Sequence, residues 1–178
     1  MTCRELYLTR QSCRNYDERP VEEEKLKEIL SLAALAPSAC NSQPWHFTLI
    51  PNPEKAHEVA KCVSDAVMNR YAAKVPAFIV ISERKATLSE KIASKITSQH
   101  FAQIDIGIVT AHLTLAAAEM GVATTILGWF YEDKLRAAVG LPDDLTPRLV
   151  IALGYAAEGD PLRNKKRRPL DESLTVVK

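Results

Sequence analysis

The sequence predicts a layered fold of the α/β or α+β class, and three observations predict it. Pro76-Ala-Phe-Ile-Val-Ile-Ser82 is a near-continuous apolar run, the pattern of a central strand buried on both faces. Phe101, Ile104, Ile108, Ala111, Leu115 and Ala118 recur at spacings of three and four, the pattern of a helix, and that helix is apolar nearly all round. Around these segments helical and strand patterns alternate, with about four strands interleaved among helices. The chain has 178 residues, enough for one domain with a proper core, and shows no internal repeat, low-complexity linker or second domain.

The elements follow in order. Thr2-Cys-Arg-Glu5 has the form of a capping box, so a short helix opens the chain and ends near Arg10. Gln11 to Pro20 is polar and irregular. Glu22-Glu23-Glu24 places negative charge where a helix N-terminus favours it. Leu26, Ile29, Leu30 and Ala33 then follow at helical spacing, and Pro37 stops that helix. His46 to Ile50 reads as a strand. Asn52-Pro53 reads as the N-cap and first position of a helix whose buried stripe is Ala56, Val59, Ala60 and Val63. After the Pro76–Ser82 strand, Glu83 to Ser98 is charged and predicted to be helical. Gly121 is placed to cap the long apolar helix. Val122 to Leu127 is the next strand, Asp133 to Val139 a short helix closed by Gly140, and Arg148 to Tyr155 the last core strand. From Ala156 onward the chain reads as a tail with little core of its own.

Bulk chemistry excludes several classes. With 47% apolar and 25% charged residues the composition is that of an ordinary soluble globular domain. A net charge of +1 makes no electrostatic case for nucleic acid or an anionic membrane. No apolar run approaches the length of a membrane span. Cys3, Cys13, Cys40 and Cys62 show no Cys-x-x-Cys spacing, and His46, His57, His100 and His112 lack paired metal-ligand spacing. With no secretory pattern at its start, the expectation is a cytoplasmic, thiol-reduced protein without a structural metal. Gly-x-Gly-x-x-Gly, a Walker loop and a nucleophile elbow are all absent.

Three segments carry candidate chemistry. Ala36-Pro37-Ser38-Ala39-Cys40-Asn41-Ser42-Gln43-Pro44-Trp45 packs hydroxyls, side-chain amides and an indole between two prolines, more than an ordinary turn needs. Arg10-Gln11-Ser12-Cys13-Arg14 places two guanidinium groups and a hydroxyl just beyond a helix end, and such groups suit phosphate oxygens. Lys165-Lys166-Arg167-Arg168-Pro169 is a second cationic cluster that could converge on the same phosphate. Alone, either cluster reads as solvated surface charge.

Together these segments resemble the nitroreductase family of FMN-dependent oxidoreductases, in the family's order and over almost the whole chain. Arg10 to Arg14 is similar to the family's Arg-x-Ser-x-Arg/Lys, and Pro37 to Trp45 to its Pro-Ser-x-x-Asn-x-Gln-Pro-Trp loop. Asp105-Ile106-Gly107, Leu127-Gly128-Trp129-Phe130, Leu153-Gly154-Tyr155 and the basic segment ending at Pro169 complete the match.

The resemblance implies an α+β, three-layer α/β/α fold with a mostly antiparallel central sheet. It implies one FMN-binding domain over 1–178 and an intertwined homodimer with both flavin sites at the interface. Residues 157–178 would form a tail reaching the partner subunit. Arg10, Gln11, Ser12 and Arg14 would hold the ribityl phosphate and pyrimidine edge, with Lys165 and Arg167 (Arg168 competing for the register) on the phosphate. Pro37, Ser38 and Asn41 would line the isoalloxazine from the neighbouring subunit, and backbone at Leu127 and Gly128 would face flavin N5. Arg14 is the candidate cation for negative charge near N1.

The activity implied is ping-pong hydride transfer from NADH or NADPH, through the flavin, to nitroaromatics, quinones or similar electron-poor acceptors. No catalytic side chain and no metal is required. The alternatives are another reaction on the same fold (reductive dehalogenation, enone reduction or flavin breakdown) and a non-enzymatic flavin-binding or storage protein. Individual residues have plainer readings. Trp45 is read as a core anchor, Cys40 as a small packing residue and His112 as structural. Asp105, His112 and Glu119 form a polar stripe paired across a dimer or helix contact.

Overall fold

The computed structural model describes residues 1–84 and 99–177. Its helices are α1 (Cys3–Thr9), α2 (Glu23–Ala33), α3 (Pro53–Val63), α4 (Phe101–Glu119) and α5 (Glu132–Val139). Its strands are β1 (Tyr16–Asp17), β2 (Trp45–Ile50), β3 (Ala77–Arg84), β4 (Ala123–Leu127) and β5 (Leu145–Ala156). Every named strand pair is antiparallel, so the fold is α+β with one five-stranded sheet.

Local signals account for most helix ends. Thr2 and Glu5 form the reciprocal capping box that starts α1. The Asn52 side chain accepts from the N–H groups of Glu54 and Lys55 at the start of α3, with Pro53 in the first turn. At the end of α4, Val122 N–H donates to Ala117 O at 2.7 Å and Gly121 N–H to Ala118 O at 3.2 Å. Gly121 has φ +73°, so this is a Schellman cap.

β5 organises the sheet. It pairs with β3 from Leu145 to Leu153, with β4 from Val150 to Gly154 and with β1 at Tyr155 and Ala156. β3 in turn pairs with β2, which is at the end of the order β1-β5-β3-β2. Alternate residues of β3 point to opposite faces, as a pleated strand requires. Phe78 and Val80 join Val59, Val63 and Leu135 of α3 and α5, whereas Ala77, Ile79 and Ile81 join Leu26, Ile29, Val109 and Leu113 of α2 and α4. Helices therefore cover both faces. Complete burial of a side chain such as Leu113 stabilises by about 1.5–3 kcal/mol.

Several expectations need correction. Among the described residues there are five strands, the extra one being the two-residue β1, whose Tyr16 pairs with Ala156 of β5, 140 residues on. α4 buries Ile106, Val109, Leu113 and Ala117, while Ile104 of the predicted stripe is 47% exposed. A helix apolar all round gives periodicity no face to select. By length and composition α4 could also cross a membrane, contrary to the sequence expectation, but here its inner face packs on the sheet. Glu83 and Arg84 extend β3. The remainder of the stretch predicted as helical lies outside the described residues.

Two close contacts tie the end of β5 to its surroundings. A Cβ at Gly154 would stand 2.8 Å from both Pro76 Cδ and Tyr16 Cδ1, two rigid rings. Tyr155 O–H donates to Glu22 Oε2 at 2.6 Å, and Lys25 Nζ donates to the Tyr155 oxygen at 2.8 Å, which fastens β5 to the start of α2. The Tyr155 bond, with the Glu22 backbone and Lys25, holds the Glu22 carboxyl down at about 2.

Gly154→Ala is expected to destabilise the fold by about 1–3 kcal/mol, through overpacking. Thermal unfolding should register a drop of about 3–10 °C, and an unchanged midpoint would contradict the packing account. Tyr155→Phe should raise the Glu22 titration midpoint toward its ordinary value of about 4.3. The stabilisation from Glu22 is fully present above that unfolded value and is lost as pH falls toward about 2. Wild type and variant should therefore differ in stability at neutral pH and converge in acid, read by side-chain NMR titration and pH-dependent denaturation.

Candidate functional site

The N-terminal segment and the tail meet. α1 ends at Arg10, whose N–H donates to Leu6 O at 2.8 Å. The chain then lies beside β4. Ser12 bridges Thr124 in parallel, and Cys13 N–H donates to Thr124 O at 2.9 Å. Gln11 clamps the tail with both ends of its amide, since Nε2 donates to Pro161 O at 3.1 Å and Oε1 accepts from Arg163 N–H at 2.9 Å. The Arg163 guanidinium donates to Ser12 O at 3.3 Å and to Asp160 Oδ1 at 2.7 Å. Lys165 Nζ donates to Leu8 O.

The two cationic segments, about 150 residues apart in sequence, thus share one surface. Arg10 borders a cleft of about 350 Å³ with Gly107, Thr110, Ile126 and Leu149. On another side it borders a cavity of about 230 Å³ with Gln11, Thr124 and Asp160. Arg14 is near enough to Tyr71 and Tyr16 for its charge to act on both. Burial dominates there and pushes both phenols up, and Arg14 opposes it. Arg167 is exposed and donates to Lys166 O at 2.8 Å. Leu127 ends β4, about 10 Å along the strand from Thr124, and Gly128 follows it.

The loop after α2 is held in an uncommon shape. Cys40, Asn41 and Gln43 have φ of +50°, +53° and +46°. Asn tolerates this left-handed region, but it costs other non-glycine residues about 1–2 kcal/mol each. Local bonds enforce the shape. Gln43 N–H donates to Ser38 Oγ at 3.0 Å, and Gln43 Nε2 donates to both oxygens of Asn41 at 3.2 Å. Ala39 N–H donates to the buried Asp105 carboxylate on α4 at 3.1 and 3.3 Å. Trp45 is buried, as expected of an anchor, and Ser42 Oγ is buried with no hydrogen-bond partner. Backbone strain concentrated in one short segment marks it as a functional candidate.

Of the predicted residues, the structure gathers Arg10, Gln11, Ser12 and Lys165. It sets Pro37, Ser38 and Asn41 apart. The loop hangs from Asp105 near the start of α4, and the Gln11 cavity lies by Ala118 and Gly121 at its end. These points are about 20 Å apart along the helix axis.

Two sequence readings change. Cys40 is exposed, not packed, because the loop turns it outward in the left-handed conformation. The polar stripe divides, with Asp105 buried against the loop and His112 and Glu119 exposed. Asp160 and Arg163 escaped the sequence reading altogether. Asp160 pairs with Arg163 three residues on, and Arg163 in turn reaches Gln11 and Ser12 in the N-terminal segment, a long-range contact that the tail's own composition does not signal.

Comparison with known proteins places this geometry. The family model described as "Nitroreductase family" matches residues 7–155. A relative in Archaeoglobus fulgidus, provisionally named NADH dehydrogenase/NAD(P)H nitroreductase, is 30% identical over 86% of this chain and 84% of its own length. The crystal structure of a nitroreductase family protein from Clostridium difficile is 31% identical over 98% of both chains, with a TM-score of 0.80. Rat iodotyrosine deiodinase 1 is more distant, at 21% identity over 97% of this chain and 68% of its own. A fold, a motif order and a family match over most of the chain agree, and the chain belongs to the nitroreductase family of NAD(P)H-dependent oxidoreductases.

Proposed function

We propose that this chain is an FMN-dependent oxidoreductase passing hydride from NADH or NADPH to nitroaromatic, quinone or similar electron-poor acceptors by a ping-pong mechanism. It works in the cytoplasm as a homodimer, with each flavin site at the subunit interface and residues 157–178 reaching the partner. The observation that carries this reading is the convergence of the two cationic segments through Gln11, Arg163 and Lys165.

The donor set fits FMN. Arg10, Lys165 and Arg167 are cations suited to a phosphate dianion, and Ser12 adds a hydroxyl. Arg14, beside Tyr71, supplies positive charge for the pyrimidine edge. Backbone at Leu127 and Gly128 closes the far end of the site. When bound, the flavin supplies reversible hydride chemistry at N5, which the protein positions and tunes. Pro37, Ser38 and Asn41 complete the site from the partner, which accords with their separation from Arg10 within one chain. Exposed Ile104 of α4, with exposed Tyr7 of α1 and Ile126 of β4, supports an association surface on that side.

Reductive dehalogenation on the same scaffold is the second reading. Similarity to the deiodinase across 97% of this chain favours it over enone reduction, flavin breakdown or storage.

The test is the visible spectrum of the purified protein with FMN, before and after anaerobic NADH and NADPH, for wild type and for Arg10→Ala/Arg167→Ala. Wild type should hold FMN and bleach. The double variant should lose affinity by about a hundredfold or more, because two charge-assisted contacts are gone. Unchanged flavin content in the variant would reject the phosphate assignment. Bound flavin that no nicotinamide reduces would reject the enzymatic reading. Turnover of halogenated aromatics alone would favour the second one.

A further inference from the structure

The first part of the tail runs in the opposite direction to the N-terminal segment it lies on. Ala157 N–H donates to Asn15 O at 3.0 Å, the Arg163 guanidinium donates to Ser12 O at 3.3 Å, and Lys165 Nζ donates to Leu8 O. Gln11 lies between these points. Its Nε2 donates to Pro161 O at 3.1 Å, and its Oε1 accepts from Arg163 N–H at 2.9 Å.

Both partners of the Gln11 amide are main-chain groups, so the clamp reads the path of the tail and not its side chains. Pro161 has no N–H and offers a carbonyl, whereas Arg163 offers its N–H. A side-chain amide carries a donor and an acceptor side by side, which is what that pair requires. Reversing the amide would set donor against donor and acceptor against acceptor. Sliding the tail would break both bonds at once. Residues 161–164 are exposed, so little apolar burial holds this stretch and directed bonds set its position. Arg163 stands two residues before Lys165, and Gln11 follows Arg10 directly. Fixing the first pair fixes the approach of the second.

We propose that Gln11 is a positioning residue for the flavin phosphate, whose amide fixes the tail so that Lys165 is presented beside Arg10. This rests on the FMN reading above. In place of a direct contact with the flavin, Gln11 acts through Lys165. A cation set in place beforehand binds an anion more tightly than one on a free tail, because the ordering is complete before the ligand arrives.

The experiment measures FMN and riboflavin affinity by flavin fluorescence, with the full chain freed of bound flavin. Wild type is compared with Gln11→Met, Lys165→Ala and the double variant. Riboflavin lacks the phosphate, and methionine keeps the volume of Gln11 while removing both bonds. Gln11→Met should weaken FMN binding about tenfold and leave riboflavin unchanged. In the Lys165→Ala background the same substitution should cost less than about twofold, because the residue it positions is gone. Trypsin should cut the flavin-free Gln11→Met chain after Lys165 or Lys166 several-fold faster than wild type, which reads release of the tail without any ligand. Gln11→Asn is one methylene too short to span both partners. It should show the same pattern, and it serves if the methionine variant fails to fold. Equal losses for FMN and riboflavin would mean a contact with the ring, and additive losses in the double variant a direct contact with the phosphate. Either result, unchanged FMN affinity or unchanged cleavage overturns the positioning role and leaves the FMN reading standing. A wild-type chain that does not bind FMN overturns both.

Discussion

The structure depends on one constraint, the pairing of β5 with three other strands. Leu145–Ala156 takes β3 along one stretch, β4 along another and β1 at its end. The sheet cannot be completed until this late strand is in place, so most of the stabilising contacts are non-local. The same pairing decides where chemistry can form. β5 brings Tyr16 against Gly154 and delivers the chain at Ala157 beside Asn15, whose carbonyl accepts from Ala157 N–H at 3.0 Å. From there the tail meets the N-terminal segment, and Arg10 and Lys165 share a surface as a result.

Around that frame the chain carries features that work against stability. Cys40 and Gln43 occupy the left-handed region, Ser42 Oγ is buried without a partner, and Asp160 Oδ2 is a buried acceptor without a donor. None of them helps the core. The loop strain is local to the segment held by Asp105, and the unsatisfied carboxylate oxygen is local to the docked tail. Such departures from good folding chemistry concentrate at functional segments.

How much could be read from the sequence follows from the range of each interaction. α1, α3 and the end of α4 were legible because a capping box, Asn-Pro and Gly121 act within one turn. β3 was legible because Ala77 to Ile81 is a short, β-branched-rich apolar run behind Pro76, the pattern of a buried strand. β1 was not, since two residues become a strand only by meeting Tyr155 and Ala156. Asp105 stood out as a charge on an apolar helix, but its partner Ala39 lies 66 residues earlier. In the site, Arg10, Ser12 and Lys165 were legible as cations and a hydroxyl. Asp160 and Arg163 were not, because a solvated tail and a docked tail have the same composition and only the Gln11 clamp separates them.

The central claim is that each site joins the two ends of one chain to the Pro37–Asn41 loop of a second. A crystal structure with FMN tests it most directly. The account predicts the phosphate on Arg10 and Lys165 of one protomer, with the loop of its partner over the ring. A phosphate bound away from Arg10, or a flavin enclosed by the loop and cations of a single chain, would contradict it.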